Sequence, residues 1–343
     1  MTPNPPPTVK SIHLPRAVPD ARYATASDDG ATIALALATD TGEVAVLRGD
    51  APIERMPGWL VPATGPLVAT AGDGADGADR AAEVALRDVV RGTTYRAPRE
   101  VDGLGWDERT AWRVAAGGLL RVVTAKSDAA ATLAWYGPDQ PAPRWQVALP
   151  AGVADVAIAG PLAIAQLTAT SGAPALIAID TRTGAQAWRV ATAATYADQG
   201  AVILADRSVL TVLGDPGRCE SCEQVEVHDA TTGARVRTVP LDGPSILARL
   251  GARGRETVLG VAGAELWFRF QRTGVSHDSA LANACTFDVF DLHTGKARSA
   301  AAPWAAAFAN RAPPVLAAPI AGGLVTVRRD DARAEVARFI RAP

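Results

Sequence analysis

A strand, an aspartate and a tight turn ending in glycine recur along this 343-residue chain, and that returning hairpin constrains the fold more than any other feature. It reads EVALRDVVRGTTYRA at 83–97, ALIAIDTRTGAQAWRV at 175–190, QVEVHDATTGARVRTV at 224–239 and TFDVFDLHTGKARSA at 286–300. In each copy an Asp stands four residues before a Gly: Asp88 and Gly92, Asp180 and Gly184, Asp229 and Gly233, Asp291 and Gly295. An Asp closing a strand accepts backbone N–H groups of the following turn, and the Gly supplies the positive φ that reverses the chain. Apolar residues two apart in the preceding strand, such as Ile177 and Ile179 or Val225 and Val227, then share one face of a sheet.

Three degenerate copies fit the same phase, at 43–55, 132–149 and 324–340. The strand ends then fall near Arg48, Asp88, Gly137, Asp180, Asp229, Asp291 and Arg329, at intervals of 38 to 62 residues. Helical periodicity is nearly absent, and short apolar runs with β-branched residues alternate with Gly, Pro and Asp turns. A repeat of 40–50 residues is the length of a four-stranded antiparallel blade. One blade leaves both faces bare, and stacking blades in a ring covers them. The expected fold is therefore all-β: a seven-bladed β-propeller of four-stranded antiparallel blades. Residues 21–343 make one domain, and residues 1–20 form an N-terminal extension whose segment 7–20 is the candidate ring-closing strand.

Composition narrows the function classes. Apolar residues are 48%, enough for a large core, while Lys plus Arg (34) and Asp plus Glu (36) nearly cancel. A balanced charge argues against a dedicated nucleic-acid or anionic-membrane binder. No basic-then-apolar leader opens MTPNPPPTVKSIHLPRAVPD, and no run of 18 uncharged apolar residues would span a bilayer. A cytoplasmic protein without a membrane span is the expectation, and three cysteines, an odd number, fit a reducing compartment.

ALIAIDTRTGAQAWRV resembles the repeat of the pyrroloquinoline-quinone-like propellers: an apolar strand, an Asp, a turn ending Thr-Gly, and an outer strand bearing Trp. The resemblance implies that Trp188, and Trp145 in a copy that has lost its Asp and Gly, dock against the neighbouring blade. In the other copies Arg96, Arg237 and Ser299 stand where Trp would be expected. No vicinal cysteine pair of the quinoprotein dehydrogenases is present. The resemblance therefore points to the non-enzymatic interaction rings of that group and to no quinone cofactor.

Cys219 and Cys222 form CESC before the fifth Asp-ended strand, Cys285 precedes the corresponding strand of the next unit, and His277 lies between. Cys219, Cys222, Cys285 and His277 make a Cys3His set of the kind zinc accepts, which would staple two loops and bring zinc near one equivalent per chain. A Cys219–Cys222 disulfide or redox pair, and cysteines with no special chemistry, are the competing readings. GDGADGADR at 72–80 lacks the ligand order of a calcium loop, and its three Asp oppose a phosphate.

Two Trp flanked by charge in WDERTAWR at 106–113, Trp106 and Trp112, together with Trp267, are the candidate anchors of an interface. The leading expectation is a non-enzymatic scaffold that binds a protein or peptide with one loop face, built from 72–80, 98–106, 214–224 and 271–285. The alternative is a lactonase-like hydrolase or lyase at the central channel. It requires two polar side chains converging there; Glu43, Asp107, Glu256 and Asp278 are acids that could approach a channel mouth, and no pair of them is fixed in geometry by the sequence.

Overall fold

In the computed structural model, the described residues are 8–13, 21–27, 31–37, 42–49, 51–61, 63–70, 83–98, 110–115, 117–124, 130–138, 140–167, 174–192, 202–205, 208–214, 222–241, 254–272, 285–296, 316–320, 323–330 and 333–340. Strand β1 (Thr8–His13) lies far in sequence from the sheet it joins. Strands β2 (Ala21–Ala26), β3 (Thr32–Leu37), β4 (Glu43–Arg48) and β5 (Glu54–Pro57) form a sheet in that order. Next come β6 (Trp59–Leu60) and β7 (Ala63–Thr64); β6 pairs with β8 (Leu67–Thr70), followed by β9 (Glu83–Asp88) and β10 (Thr94–Pro98). Strand β7 instead pairs in parallel with β11 (Thr110–Ala115), the edge of the sheet that continues through β12 (Gly118–Thr124), β13 (Ala131–Tyr136) and β14 (Trp145–Leu149).

Two regular sheets follow. One holds β15 (Val153–Ala159), β16 (Leu162–Leu167), β17 (Ala175–Asp180) and β18 (Gln186–Ala191); the other holds β19 (Val202–Ala205), β20 (Ser208–Gly214), β21 (Cys222–Asp229) and β22 (Arg235–Pro240). Three strands make the next, β23 (Gly254–Ala262), β24 (Glu265–Arg272) and β25 (Cys285–Asp291). The last contains β26 (Leu316–Ile320), β27 (Gly323–Asp330) and β28 (Arg333–Ile340), and β1 pairs antiparallel with β28 as its fourth strand, Thr8 opposite Ile340 and His13 opposite Glu335.

The inner edges touch in a circuit, with β7 and not β6 as the link after β2: β26 lies beside β2, β2 beside β7, β7 pairs with β11, then β11, β15, β19 and β23 follow in turn, and β23 lies beside β26. Each neighbouring pair of sheets encloses its own apolar cluster, including the pair that joins last to first, where Val325, Val327 and Val336 pack with Ile33, Leu35 and Leu47. The fold is an all-β propeller whose core lies in the seams between sheets. Among the described residues no helix is long and apolar enough to cross a membrane.

The expectation of seven four-stranded blades is corrected. The sheets are unequal: one has five strands and, among the described residues, another has three. The fifth strand arises where Gly58, at φ +135°, breaks the chain after β5 and the following segment is shared between β8 and β11. Among the described residues the strand and turn of the returning hairpin also occur in six sheets and not seven. The copy at 324–340 is out of phase: β27 and β28 are the second and third strands of their sheet, because β1 supplies the fourth.

The Asp turns are built alike. Asp180 Oδ1 accepts N–H groups of Arg182 and Thr183, both at 2.9 Å, and the Thr183 hydroxyl at 3.1 Å. Asp229 does the same with Thr231 (3.0 Å), Thr232 (2.8 Å) and the Thr232 hydroxyl (2.9 Å), and Asp291 with His293 (2.9 Å), Thr294 (3.0 Å) and the Thr294 hydroxyl (3.2 Å). Donation from the Thr183 backbone first, and from the other turn donors, holds the Asp180 carboxyl below the ordinary carboxylate range; the Thr232 backbone and then its hydroxyl do so for Asp229. A carboxyl whose folded pKa is depressed adds stability that is present above its unfolded pKa and lost as pH falls through the folded value. The urea midpoint is therefore expected to drop as pH falls below about 4. Asp180→Asn and Asp229→Asn should flatten that slope, and a slope unchanged in the double variant would contradict it.

Across the seams one contact returns. Trp145 Nε1 on β14 donates to the Thr181 carbonyl of the next sheet at 2.7 Å, and Trp188 Nε1 on β18 donates to the Ala230 carbonyl at 3.2 Å. Both carbonyls belong to the residue after the turn Asp. The rings lie against the turn glycines: a Cβ on Gly184 would stand 2.8 Å from Trp145 Cγ, and one on Gly233 2.6 Å from Trp188 Cε3. In two seams without that Trp an arginine makes the bond, from the outer strand β22 in one and from the end of the third strand β4 in the other. Arg237 donates to Leu292 O at 3.2 Å, and Arg48, which also pairs with Glu54, donates to Val89 O at 3.0 Å; these are the residues after Asp291 and Asp88.

Candidate partner-binding face

An antiparallel meander sends alternate connections to opposite ends of each sheet. Turns between first and second strands share one end with the Asp turns, and hydrogen bonds join them: Val89 N to Pro66 O (3.0 Å), Thr181 N to Pro161 O (2.8 Å) and Leu292 N to Ala264 O (2.9 Å). Connections from second to third strands, and from sheet to sheet, leave from the other end. The segments 72–80, 98–106, 214–224 and 271–285 are connections of this second kind, and most of their residues lie outside the described ones.

Trp59 stands at that connection end. It opens β6 opposite Ala69, one residue from the end of β8, and its ring covers Gly42, where a Cβ would sit 2.5 Å from Cε2. Alternation along the strand turns Leu60 into the seam, 3% exposed, and leaves Trp59 49% exposed. Beside it, Pro57 pairs with Glu43, and Glu43 lies 3.5 Å from Arg55. The other exposed large hydrophobics among the described residues lie elsewhere: Val90 in the Asp88 turn, and Val236 on the outer strand β22.

Trp112 and Trp267 are core residues. Trp112, 6% exposed, is tilted against Tyr136 at 6.2 Å with the Arg121 guanidinium 5.6 Å from its ring. Trp267 has no exposed surface and packs with Phe287, Val289 and Leu324. Rings so placed offer no surface to a partner, because a sheet covered on both faces buries both of its side-chain sets. Trp106 lies outside the described residues, as do Cys219 and His277. Cys222 opens β21 and Cys285 opens β25, paired with Gly214 and Gln271, so they begin the third strands of consecutive sheets. Among the described residues no group of three or more His, Cys, Asp or Glu could hold a metal ion.

Sequence reasoning passed over Trp59 as an anchor, and it also passed over a polar pair on the first strands. Arg113 on β11 meets Asp155 on β15 at 2.9 Å, and donates to the Val156 carbonyl at 2.8 Å and the Trp112 carbonyl at 3.0 Å. Asp155 also accepts from Val156 N at 2.8 Å. The pair is stitched to backbone on both sides and joins two sheets.

A second polar set is closed within the seam of the β15–β18 and β19–β22 sheets. Glu226 and His228 are each 1% exposed. Their side chains stand 3.3 Å apart, and Arg235 donates to Glu226 at 2.8 Å. The other His228 ring nitrogen lies 3.1 Å from the Gly233 carbonyl. This places His228 in the local hydrogen bonding of its own turn.

No family model matches the chain, and no curated protein matches it. One similar solved chain belongs to a crystal structure of the mitotic checkpoint complex: the match covers 99% of this chain and 95% of that one, at 13% identity and a TM-score of 0.47. A likeness of that depth says nothing of a partner.

Proposed function

We propose that the chain is a non-enzymatic propeller that binds a protein or peptide on the face from which its sheet-to-sheet connections leave. The observation that carries this reading is Trp59, half exposed at that end and backed by Gly42. Large aromatic rings on a rigid platform supply much of the energy of protein interfaces, and rigid rings holding variable connections are suited to present them. At a finer level, the Asp–Thr–Gly turns and the tryptophans docked on them support placing the chain beside the interaction rings of the pyrroloquinoline-quinone-like group.

The test is capture of a binding protein from the source cell with the immobilised full chain. Trp59→Ala should lower the affinity of the captured partner about tenfold or more, the loss of a hot-spot side chain. Its urea midpoint should stay close to that of the parent. Val236→Ala, on an outer strand, should bind as the parent does. Equal affinity in Trp59→Ala and the parent would overturn the reading.

A further inference from the structure

The seam between the β23–β25 sheet and the sheet of β26–β28 has a small apolar cluster, with Trp267, Phe287, Val289 and Leu324 as its buried members. One step further along both second strands this seam turns polar. Strands β24 and β27 hold the same place in consecutive sheets, and Trp267 on one packs with Leu324 on the other. Side chains two residues on return to the same face of a strand. Arg269 and Thr326 therefore face each other's sheets across the seam, while Phe268 and Val325, the intervening residues, belong to clusters on the far faces.

Neither residue finds a partner there. Thr326 has no exposed surface, and its hydroxyl is buried without a hydrogen bond. Arg269 is half-buried, and its Nε is also buried with no acceptor. The cross-strand neighbour of Arg269 on β25 is Phe287, 1% exposed, which offers no acceptor side chain. A guanidinium keeps its charge at any ordinary pH, so a buried Nε–H cannot be relieved by losing the proton. Such a group destabilises the chain unless an acceptor reaches it.

We propose that this seam binds a small oxyanion, a carboxylate or a phosphate group, between Arg269 and Thr326. The Nε edge of a guanidinium grips two oxygens side by side, and the Thr326 hydroxyl supplies a further donor. The site is independent of the partner-binding face and of Trp59.

The experiment uses the full chain with inorganic phosphate and acetate as probes, at matched ionic strength, against Arg269→Met and Thr326→Val. Phosphate or acetate should raise the Tm of the parent in a saturable way, by more than it raises that of Arg269→Met. Thr326→Val should weaken the binding about tenfold. Response to phosphate alone or acetate alone supports the site and identifies the group it takes. In anion-free buffer Arg269→Met should be at least as stable as the parent, because it removes an unsatisfied buried donor. An equal Tm response in the parent and Arg269→Met overturns the proposal. So does a loss of stability, or failure to fold, of Arg269→Met in anion-free buffer, since Arg269 would then serve the fold.

Discussion

Replacing Trp145 with alanine is expected to destabilise the chain by about 3–5 kcal/mol, the range for truncating a buried Trp. The side chain is 9% exposed, stacks on Trp135 with centroids 6.3 Å apart, fills the seam cluster with Ile177 and Ile179, and donates to Thr181 O. Loss of the ring leaves a cavity, and loss of the indole N–H removes a bond that ties one sheet to the next. Total stabilities of folded domains are about 5–15 kcal/mol, so this one change consumes a large share. Trp145→Phe keeps most of the apolar area and lacks the donor. Its smaller loss, about 1–2 kcal/mol, reads the hydrogen bond together with the lost ring volume. Urea unfolding followed by circular dichroism measures both. A Trp145→Ala midpoint within error of the parent would show that the seam does not depend on this contact.

Gly295→Ala should also be severe, and Gly92→Ala mild, although both glycines close an Asp turn at nearly the same positive φ, +71° and +69°. The conformational penalty, about 1–2 kcal/mol for a side chain in the left-handed region, is common to the two. What differs is the neighbourhood. A Cβ on Gly92 meets nothing within 4 Å, whereas one on Gly295 would lie 1.8 Å from the Pro240 carbonyl oxygen of the preceding sheet. That atom is backbone, so relief requires the two sheets to part, at a further cost of about 1–3 kcal/mol. Equal losses in the two variants would mean that the β19–β22 sheet does not press on the Asp291 turn.

The Asp–Gly hairpins were legible because each is a local device: the carboxylate, the turn N–H groups and the glycine lie within five residues. Docking of Trp145 and Trp188 was legible from the resemblance of their repeat. What failed was non-local. The hairpin at 324–340 carries the apolar run of an ordinary copy, and its phase is set by β1, more than 300 residues away. Nothing in the local sequence of 59–64 marks that β6 and β7 are divided between two sheets. Arg237 on the outer strand β22 and Arg48 at the end of the third strand β4 make the carbonyl bond that Trp makes elsewhere, yet an arginine at either place reads as a solvated residue. Trp267 reads as an anchor from its local sequence, and what buries it is non-local: it lies on β24 and packs against Leu324 of the next sheet. Of the candidate site, the sequence showed which connections share a face. It did not single out Trp59, whose ring lies over a glycine seventeen positions earlier.

The central claim is that the chain closes on itself, with the first strand completing the sheet made by the last three. Ser11 on β1 stands directly opposite Ala337 on β28. Ser11→Cys combined with Ala337→Cys should form an intrachain disulfide under mild oxidation, identified by mass spectrometry of the joined peptides, and the crosslinked monomer should unfold at higher urea than its reduced form. If the two cysteines stay unjoined, or link only between separate molecules, the ring is not closed by β1 and the account fails.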